Sequence, residues 1–150
     1  MKKSIIALTI VLSAVILSAV SVDGLDKTRW GMSVDEVKSL YSDSGIRESD
    51  RNDQILVIES IRLNDKNYSV TFSFKTGMLT GVSIVMKEAM ACDYNDAVYS
   101  LSRKYGKTAN SDKMTTVWLF PKTVITCKYF DYAGKGMLII TYSLQSEFFK

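Results

Sequence analysis

An alternation of apolar and polar residues between positions 68 and 75 is the clearest pattern in the chain. The apolar members are Tyr68, Val70, Phe72 and Phe74, and Ser69, Thr71, Ser73 and Lys75 separate them. This pattern predicts a strand with one face on a core and one face in water. Similar signals predict strands at 82–86, 114–120, 123–132 and 137–144. Residues 54–63 are apolar at both parities, so the strand predicted there has no assigned buried face.

Two other segments show helical spacing. Ser33 begins the first, Glu36 completes a capping box, and the apolar face consists of Val34, Val37, Leu40 and Tyr41. Asp93 is the predicted N-cap of the second helix and Gly106 its end. The apolar face of this helix consists of Tyr94, Ala97, Val98, Leu101 and Tyr105.

The order of one helix and three strands occurs twice. The caps Ser33 and Asp93, and the trios that start at Gly77 and Gly136 and read Gly-Met-Leu, recur at nearly equal spacing. This predicts an internal duplication with units at 30–88 and 92–145. We therefore expect an α+β fold of tandem helix-plus-three-strand repeats, with one antiparallel sheet of about six strands and two helices packed on one face.

The first 22 residues differ from the rest. Lys2 and Lys3 precede an uncharged run that continues to Val22 and ends in small residues around Ala19 and Ser21. These features are typical of a secretory signal, so we predict a signal peptide at 1–22 and one domain at 23–150, exported to the periplasm or secreted. We expect no stable membrane span after cleavage. The alternative is an uncleaved anchor, because the run is near the shortest length that spans a bilayer.

The charge pattern excludes one class of partner. The net charge is +3, and removal of Lys2 and Lys3 with the signal brings it closer to zero. The remaining basic residues are scattered among acids, whereas a nucleic-acid-binding face needs them clustered. We therefore expect no nucleic-acid partner.

Cys92 and Cys127 are the two cysteines of the chain. In an oxidising compartment they are a candidate disulfide, which would stabilise the fold by roughly 3 kcal/mol. The alternative is two free, buried thiols that pack as small hydrophobic groups. The sequence leaves both readings open.

Catalytic residue patterns are missing. The chain has no histidine, which removes the commonest general base and the usual zinc ligand. The cysteines are too far apart for a redox Cys-x-x-Cys pair, and the glycines do not form a phosphate-binding loop. Asp50, Asp53 and Glu59 remain as candidate acids, although such residues are usually solvated. We therefore predict no enzymatic activity, no cofactor and no metal.

Four aromatic residues are candidates for contact with a partner. Trp30 and Trp118 fit either an exposed anchor or core packing. Phe148 and Phe149 are adjacent, and neighbouring residues of a strand point to opposite faces. One of these two rings is therefore expected to be available to a partner.

Residues 30–37, which include Trp30, Gly31, the capping Ser33 and Glu36, resemble the start of several small exported bacterial domains. Residues 101–107 look like the helix end of such domains. The nearest groups are the SmpA/OmlA-type outer-membrane assembly lipoproteins and the β-lactamase-inhibitor-like fold. The resemblance implies a binding module rather than an enzyme. The chain departs from the lipoproteins because no cysteine follows its signal.

Three functions fit these features. The first is an exported, non-enzymatic protein-interaction module whose partner is another envelope or extracellular protein. The second is a periplasmic protein that binds a small ligand or lipid in an apolar cleft. The third is a carboxylate-dependent hydrolase, which needs two converging acids. We rank them in this order.

Overall fold

A computed structural model of the chain describes residues 22–49, 52–63 and 66–148. The strands are β1 (Arg47–Ser49), β2 (Asn52–Leu63), β3 (Lys66–Lys75), β4 (Met78–Lys87), β5 (Asn110–Asp112), β6 (Thr115–Leu119), β7 (Thr123–Tyr132) and β8 (Lys135–Leu144). The helices are α1 (Val34–Leu40), α2 (Ala91–Tyr105) and the short α3 (Gln145–Phe148). A single 3-10 turn, Ser42–Ser44, follows α1.

All eight strands form one antiparallel sheet in the order β1-β2-β3-β4-β8-β7-β6-β5. Strands that follow one another along the chain lie side by side, except at the centre, where β4 pairs with β8. Tight two-residue turns join β3 to β4 and β7 to β8. Their central residues, Thr76-Gly77 and Ala133-Gly134, all have positive φ, between 50° and 77°. This is the type I′ geometry that matches the twist of adjacent strands.

The prediction of a sheet of about six strands built from helix-plus-three-strand repeats is wrong. Each of the two longer helices is followed by four strands, because β1 and β5 add a short edge strand at each side. The two Gly-Met-Leu trios also occupy different places, since Gly77 lies in a turn and Gly136 lies within β8. The coarser prediction, an α+β fold with an antiparallel sheet, is confirmed.

Strand register aligns a row of large apolar side chains on one face of the sheet. Across six adjacent strands, directly opposed residues are Leu56, Phe72, Val82, Tyr142, Ile125 and Trp118. Each of the six is at most 1 % exposed. Full burial of such a side chain stabilises a fold by roughly 1.5–3 kcal/mol. This row is therefore the centre of the core, and we call this side of the sheet the covered face.

A β-bulge explains the apolar residues at both parities of residues 54–63. The register of β2 against β3 shifts between Ile58 and Ile61. Because a bulge adds one residue to one strand, it reverses the side on which later residues point. Ile58 is buried and Ile61 packs against the same core, although their positions differ in parity.

Helix α1 begins as predicted. The backbone N–H of Glu36 donates to Ser33 Oγ at 3.3 Å, and the N–H of Ser33 donates to Glu36 Oε2 at 2.7 Å. This backbone donation lowers the pKa of the Glu36 carboxyl, because it stabilises the charged form. Val37 faces inward and is fully buried. The capping box is confirmed.

Helix α2 begins three residues earlier than predicted. Its N-cap is Met90, and Asp93 lies in the first turn. The Asp93 carboxylate accepts from the backbone N–H of Met90 at 2.7 Å and pairs with Lys66 at 3.2 Å. Asp93 therefore still satisfies the helix start, but from inside the first turn.

Hydroxyl groups connect α2 to the covered face. Tyr94 OH lies 2.7 Å from Thr116 Oγ1, and Tyr105 OH lies 3.4 Å from Tyr142 OH. Burial raises the pKa of Tyr142 well above its ordinary value. These contacts give the buried hydroxyl groups hydrogen-bond partners in place of the water that burial removes.

The predicted signal, residues 1–22, lies outside the described residues except for Val22. Val22 belongs to the hydrophobic core, where it is 6 % exposed. Residues that follow it also pack against the core, among them Leu25, Trp30 and Met32. The segment before α1 is therefore part of the folded structure.

Candidate protein-binding surface

Trp118 is a core residue. It is fully buried on β6, and its indole N–H donates to the carbonyl of Gly106 at 3.2 Å. Of the two readings open to it, the structure favours packing. A partner that binds the folded chain cannot reach this ring.

Trp30 is half-buried and ties the segment before α1 to the sheet. Its indole N–H donates to Thr123 Oγ1 at 2.7 Å, and its backbone N–H donates to the carbonyl of Asp23 at 2.7 Å. Both of its N–H groups thus have partners within the chain. Trp30 therefore holds the segment before α1 against the sheet, which favours a structural role over contact with a partner.

Phe148 is the last residue of α3, and its side chain lies outside the described part of the structure, as does all of Phe149. Their predicted contact with a partner stays a prediction. Asp50 and the side chain of Asp53 also lie outside the described part of the structure, so their role as candidate acids stays a prediction.

Both cysteines are free thiols in the structure, so the candidate disulfide stays a prediction, and the alternative of two buried thiols fits Cys127 only. Cys92 is exposed at the start of α2, whereas Cys127 is fully buried on the covered face between Thr116 and Ile140. Burial raises the pKa of the Cys127 thiol to about 12, so this group stays protonated and unreactive.

Glu59, the unusual acid of the second strand, pairs with Arg47 of β1 at 2.9 Å. Both side chains are about half exposed, so the pair contributes little to stability. Among the described residues, no three His, Cys, Asp or Glu side chains are close enough together to hold a metal ion.

The second side of the sheet, which we call the free face, carries hydroxyl groups at its centre. Directly opposed residues on four adjacent strands are Thr71, Ser83, Thr141 and Thr126. Ser83 Oγ and Thr141 Oγ1 are 3.2 Å apart, within hydrogen-bond distance. Each of these residues is partly exposed.

One end of the free face lies next to α3. Val124 of β7 is 1 % exposed although its neighbour Ile125 points into the core. Helix α3 follows β8 directly and contacts both β7 and β8. This end of the face is therefore occupied by the chain itself.

The other end of the free face carries an apolar cluster bordered by two cations. Ile139 of β8 lies between Val85 of β4 and Lys128 of β7, and Met137 lies between Lys87 and Phe130 on the same strands. The six residues form two rows of three, with the lysines at opposite corners. We call this grid the free-face patch: Val85, Lys87, Lys128, Phe130, Met137 and Ile139.

Exposure makes the free-face patch available for binding. Phe130 is 37 % exposed, and Val85, Met137 and Ile139 are partly exposed. Lys87 and Lys128 are exposed, and neither takes part in an ion pair within the described residues. Apolar side chains with a charged border are typical of a protein-binding surface.

Sequence reasoning missed the free-face patch because it followed only the buried parity of each strand. The alternation in β8 identifies Leu138, Ile140 and Tyr142 as core residues, all of which are buried. Met137 and Ile139 stand at the opposite parity and are also apolar. Apolar residues at both parities of a strand next to its turn are the signal that indicates a second contact surface.

Within residues 22–49, 52–63 and 66–148, no helix has the length and apolar character needed to cross a bilayer. Comparison with known proteins gives no relative: no family model matches the sequence, and no curated protein or solved structure matches the chain.

Proposed function

We propose that this chain is an exported, non-enzymatic protein-interaction module that binds its partner through the free face of the sheet. It acts in the cell envelope or outside the cell, and its partner is another protein of that compartment. The observation that carries the proposal is the free-face patch, in which an exposed Phe130 lies beside Met137 at the end of the sheet away from α3.

The composition of the patch indicates the chemistry of the partner. An aromatic ring supplies a large apolar contact at low entropic cost, and such residues dominate the binding energy of protein interfaces. Lys87 and Lys128 flank the apolar side chains without carboxylate partners among the described residues. The partner we propose therefore presents an apolar strip bordered by acidic side chains, since complementary charge at the rim speeds and orients association.

The non-enzymatic part of the proposal rests on the residue inventory. The chain has no histidine, and its buried thiol, Cys127, has a pKa of about 12. The export part rests on the basic start and apolar run of residues 1–22, which fit a secretory signal.

Affinity capture with the exported chain tests the proposal. Envelope proteins of the native host are passed over the immobilised wild-type protein and over Phe130→Ala. We expect Phe130→Ala to weaken retention of the partner at least tenfold, because truncation of a central aromatic costs about 2 kcal/mol or more. Circular dichroism checks that the variant is folded.

Tyr99→Ala is the matched control for this capture. Tyr99 is an exposed aromatic residue, 65 % accessible, that lies on α2 rather than on the free face. We expect this variant to retain the partner as the wild type does. Equal retention by wild type and Phe130→Ala, or equal loss with Tyr99→Ala, would place the binding surface elsewhere.

A further inference from the structure

We infer that a signal peptidase of the host hydrolyses the peptide bond between Ser21 and Val22, so that Val22 is the first residue of the mature protein. Water supplies the oxygen of the new Ser21 carboxylate and the hydrogen of the new Val22 amino group. The inference rests on the export named in the proposed function. The signal then ends at Ser21, one residue earlier than the end of the predicted segment 1–22.

The sequence alone allows more than one cleavage site. A signal is cut after a pair of small residues separated by one residue of any size. Ala19 and Ser21 form such a pair before Val22. Gly24, which precedes Leu25, is also small, but the residue two positions before it is Val22, so this second site meets the rule only in part. The two bonds differ by three residues, Val22 to Gly24.

Val22 is built into the fold. Its side chain is 6 % exposed within the core, and its carbonyl accepts a hydrogen bond from Thr123 Oγ1. The same Thr123 oxygen accepts from the indole N–H of Trp30 at 2.7 Å. Removal of Val22 would leave the buried Thr123 hydroxyl without its acceptor, which is costly in an interior that excludes water.

Asp23 and Gly24 are also used by the fold. The carbonyl of Asp23 accepts from the backbone N–H of Trp30 at 2.7 Å, and its carboxylate lies 3.6 Å from Lys122 Nζ. A Cβ atom at Gly24 would stand 2.2 Å from the carbonyl oxygen of Thr28. Only glycine allows this close approach. A cut after Gly24 would remove all of these contacts, whereas a cut after Ser21 keeps them.

The test uses the chain with its predicted signal, residues 1–150, expressed in a bacterial host that exports it. The exported form is purified from the envelope, and its first residues are determined by N-terminal sequencing and intact mass. We expect a single species that begins Val-Asp-Gly-Leu. A species that begins at Leu25, or at any other residue, overturns the inference while export stands.

A matched pair of variants locates the bond. Ser21→Tyr places a bulky side chain directly before the cut, and we expect the cleaved fraction to fall at least tenfold. Val20→Tyr places the same side chain at the position that tolerates any residue, and we expect it to be processed as the wild type is. Both residues lie in the segment that cleavage removes, so neither change alters the mature domain.

Fractionation separates failure of the inference from failure of the proposed function. Uncleaved chain in the membrane fraction overturns the cleavage but agrees with export and an anchored signal. Uncleaved chain in the cytosol overturns both. Normal cleavage of Ser21→Tyr also contradicts the assigned bond.

Discussion

The two faces of the sheet are built from residues that alternate along the same strands, but the side chains of the two faces differ in burial. Trp118 and Tyr142 lie on the covered face and are fully buried, whereas Val117 and Thr141, one position before them, lie on the free face and are partly exposed. Both faces share the same backbone hydrogen bonds, so the difference in side-chain exposure comes only from what covers each face. The covered face uses its side chains for stability, and the free face has them available for contact.

Truncation of a core aromatic gives the sharpest contrast between the faces. Trp118→Ala is expected to lower the free energy of unfolding by about 3–5 kcal/mol, because it removes buried area and leaves a cavity. Val117→Ala on the next position of the same strand is expected to cost about 1 kcal/mol or less. Urea unfolding of the two variants measures both values. Similar losses would show that the free face is packed as tightly as the covered one.

The same substitution, glycine to alanine, at two positions of the sheet compares the space that is available to a Cβ atom at each position. A Cβ atom at Gly136 would lie 1.9 Å from the carbonyl oxygen of Ala89, whereas at Gly81 its nearest neighbours are 3.7 Å away. Gly136→Ala is therefore expected to destabilise by about 1–3 kcal/mol, as overpacking does. Gly81→Ala is expected to be neutral or to stabilise by up to about 1 kcal/mol, because it restricts the unfolded chain. Thermal unfolding of the two variants measures both effects. A Gly136→Ala variant as stable as the wild type would contradict the close approach of Ala89.

The buried thiol gives a smaller effect that depends on pH. Burial raises the pKa of Cys127 from 9.0 to about 12, so the folded chain keeps a proton that the unfolded chain loses. The free energy of unfolding is therefore expected to fall as pH rises from 9 towards 12, with a slope that approaches about 1.4 kcal/mol per pH unit from this group. Urea titrations between about pH 8.5 and about pH 10.5 measure the slope.

Cys127→Ala is expected to make this slope shallower, whatever its effect at neutral pH. Cys92→Ala is the matched control, because it removes a thiol at an exposed position. An equal change of slope in both variants would contradict the assignment to the buried thiol. An unchanged slope in Cys127→Ala would show that other groups, such as the buried Tyr142, govern alkaline stability.

Local patterns predicted the parts of the fold in which one face is buried and the strand is regular. The alternation in β3 identified Val70, Phe72 and Phe74 as core residues, and the capping box at Ser33 marked the start of α1. Both signals are short in range, because they depend on neighbours within a turn or a strand. Such patterns are read directly from the sequence.

The remaining features depend on partners distant in the sequence. The edge strands β1 and β5 have three residues each, all of them polar, so they show no alternation and form only because a neighbouring strand offers hydrogen bonds. The bulge in β2 interrupts the alternation that would otherwise identify the buried face of this strand from the sequence. The free-face patch combines β4, β7 and β8, and only the pairing of β4 with β8 brings its residues together. No local pattern contains that pairing.

The central position of β8 also has a consequence for the order of assembly. Every other neighbouring pair in the sheet is local in the chain, so two four-stranded meanders need only short loops to close. The strand that joins them is the last of the eight to be synthesised. Until it pairs, β4 is a long apolar edge, unlike the three-residue polar edges of the finished sheet, and such edges recruit strands from other chains. Solubility of the nascent chain therefore depends on completion of its final ten-residue strand.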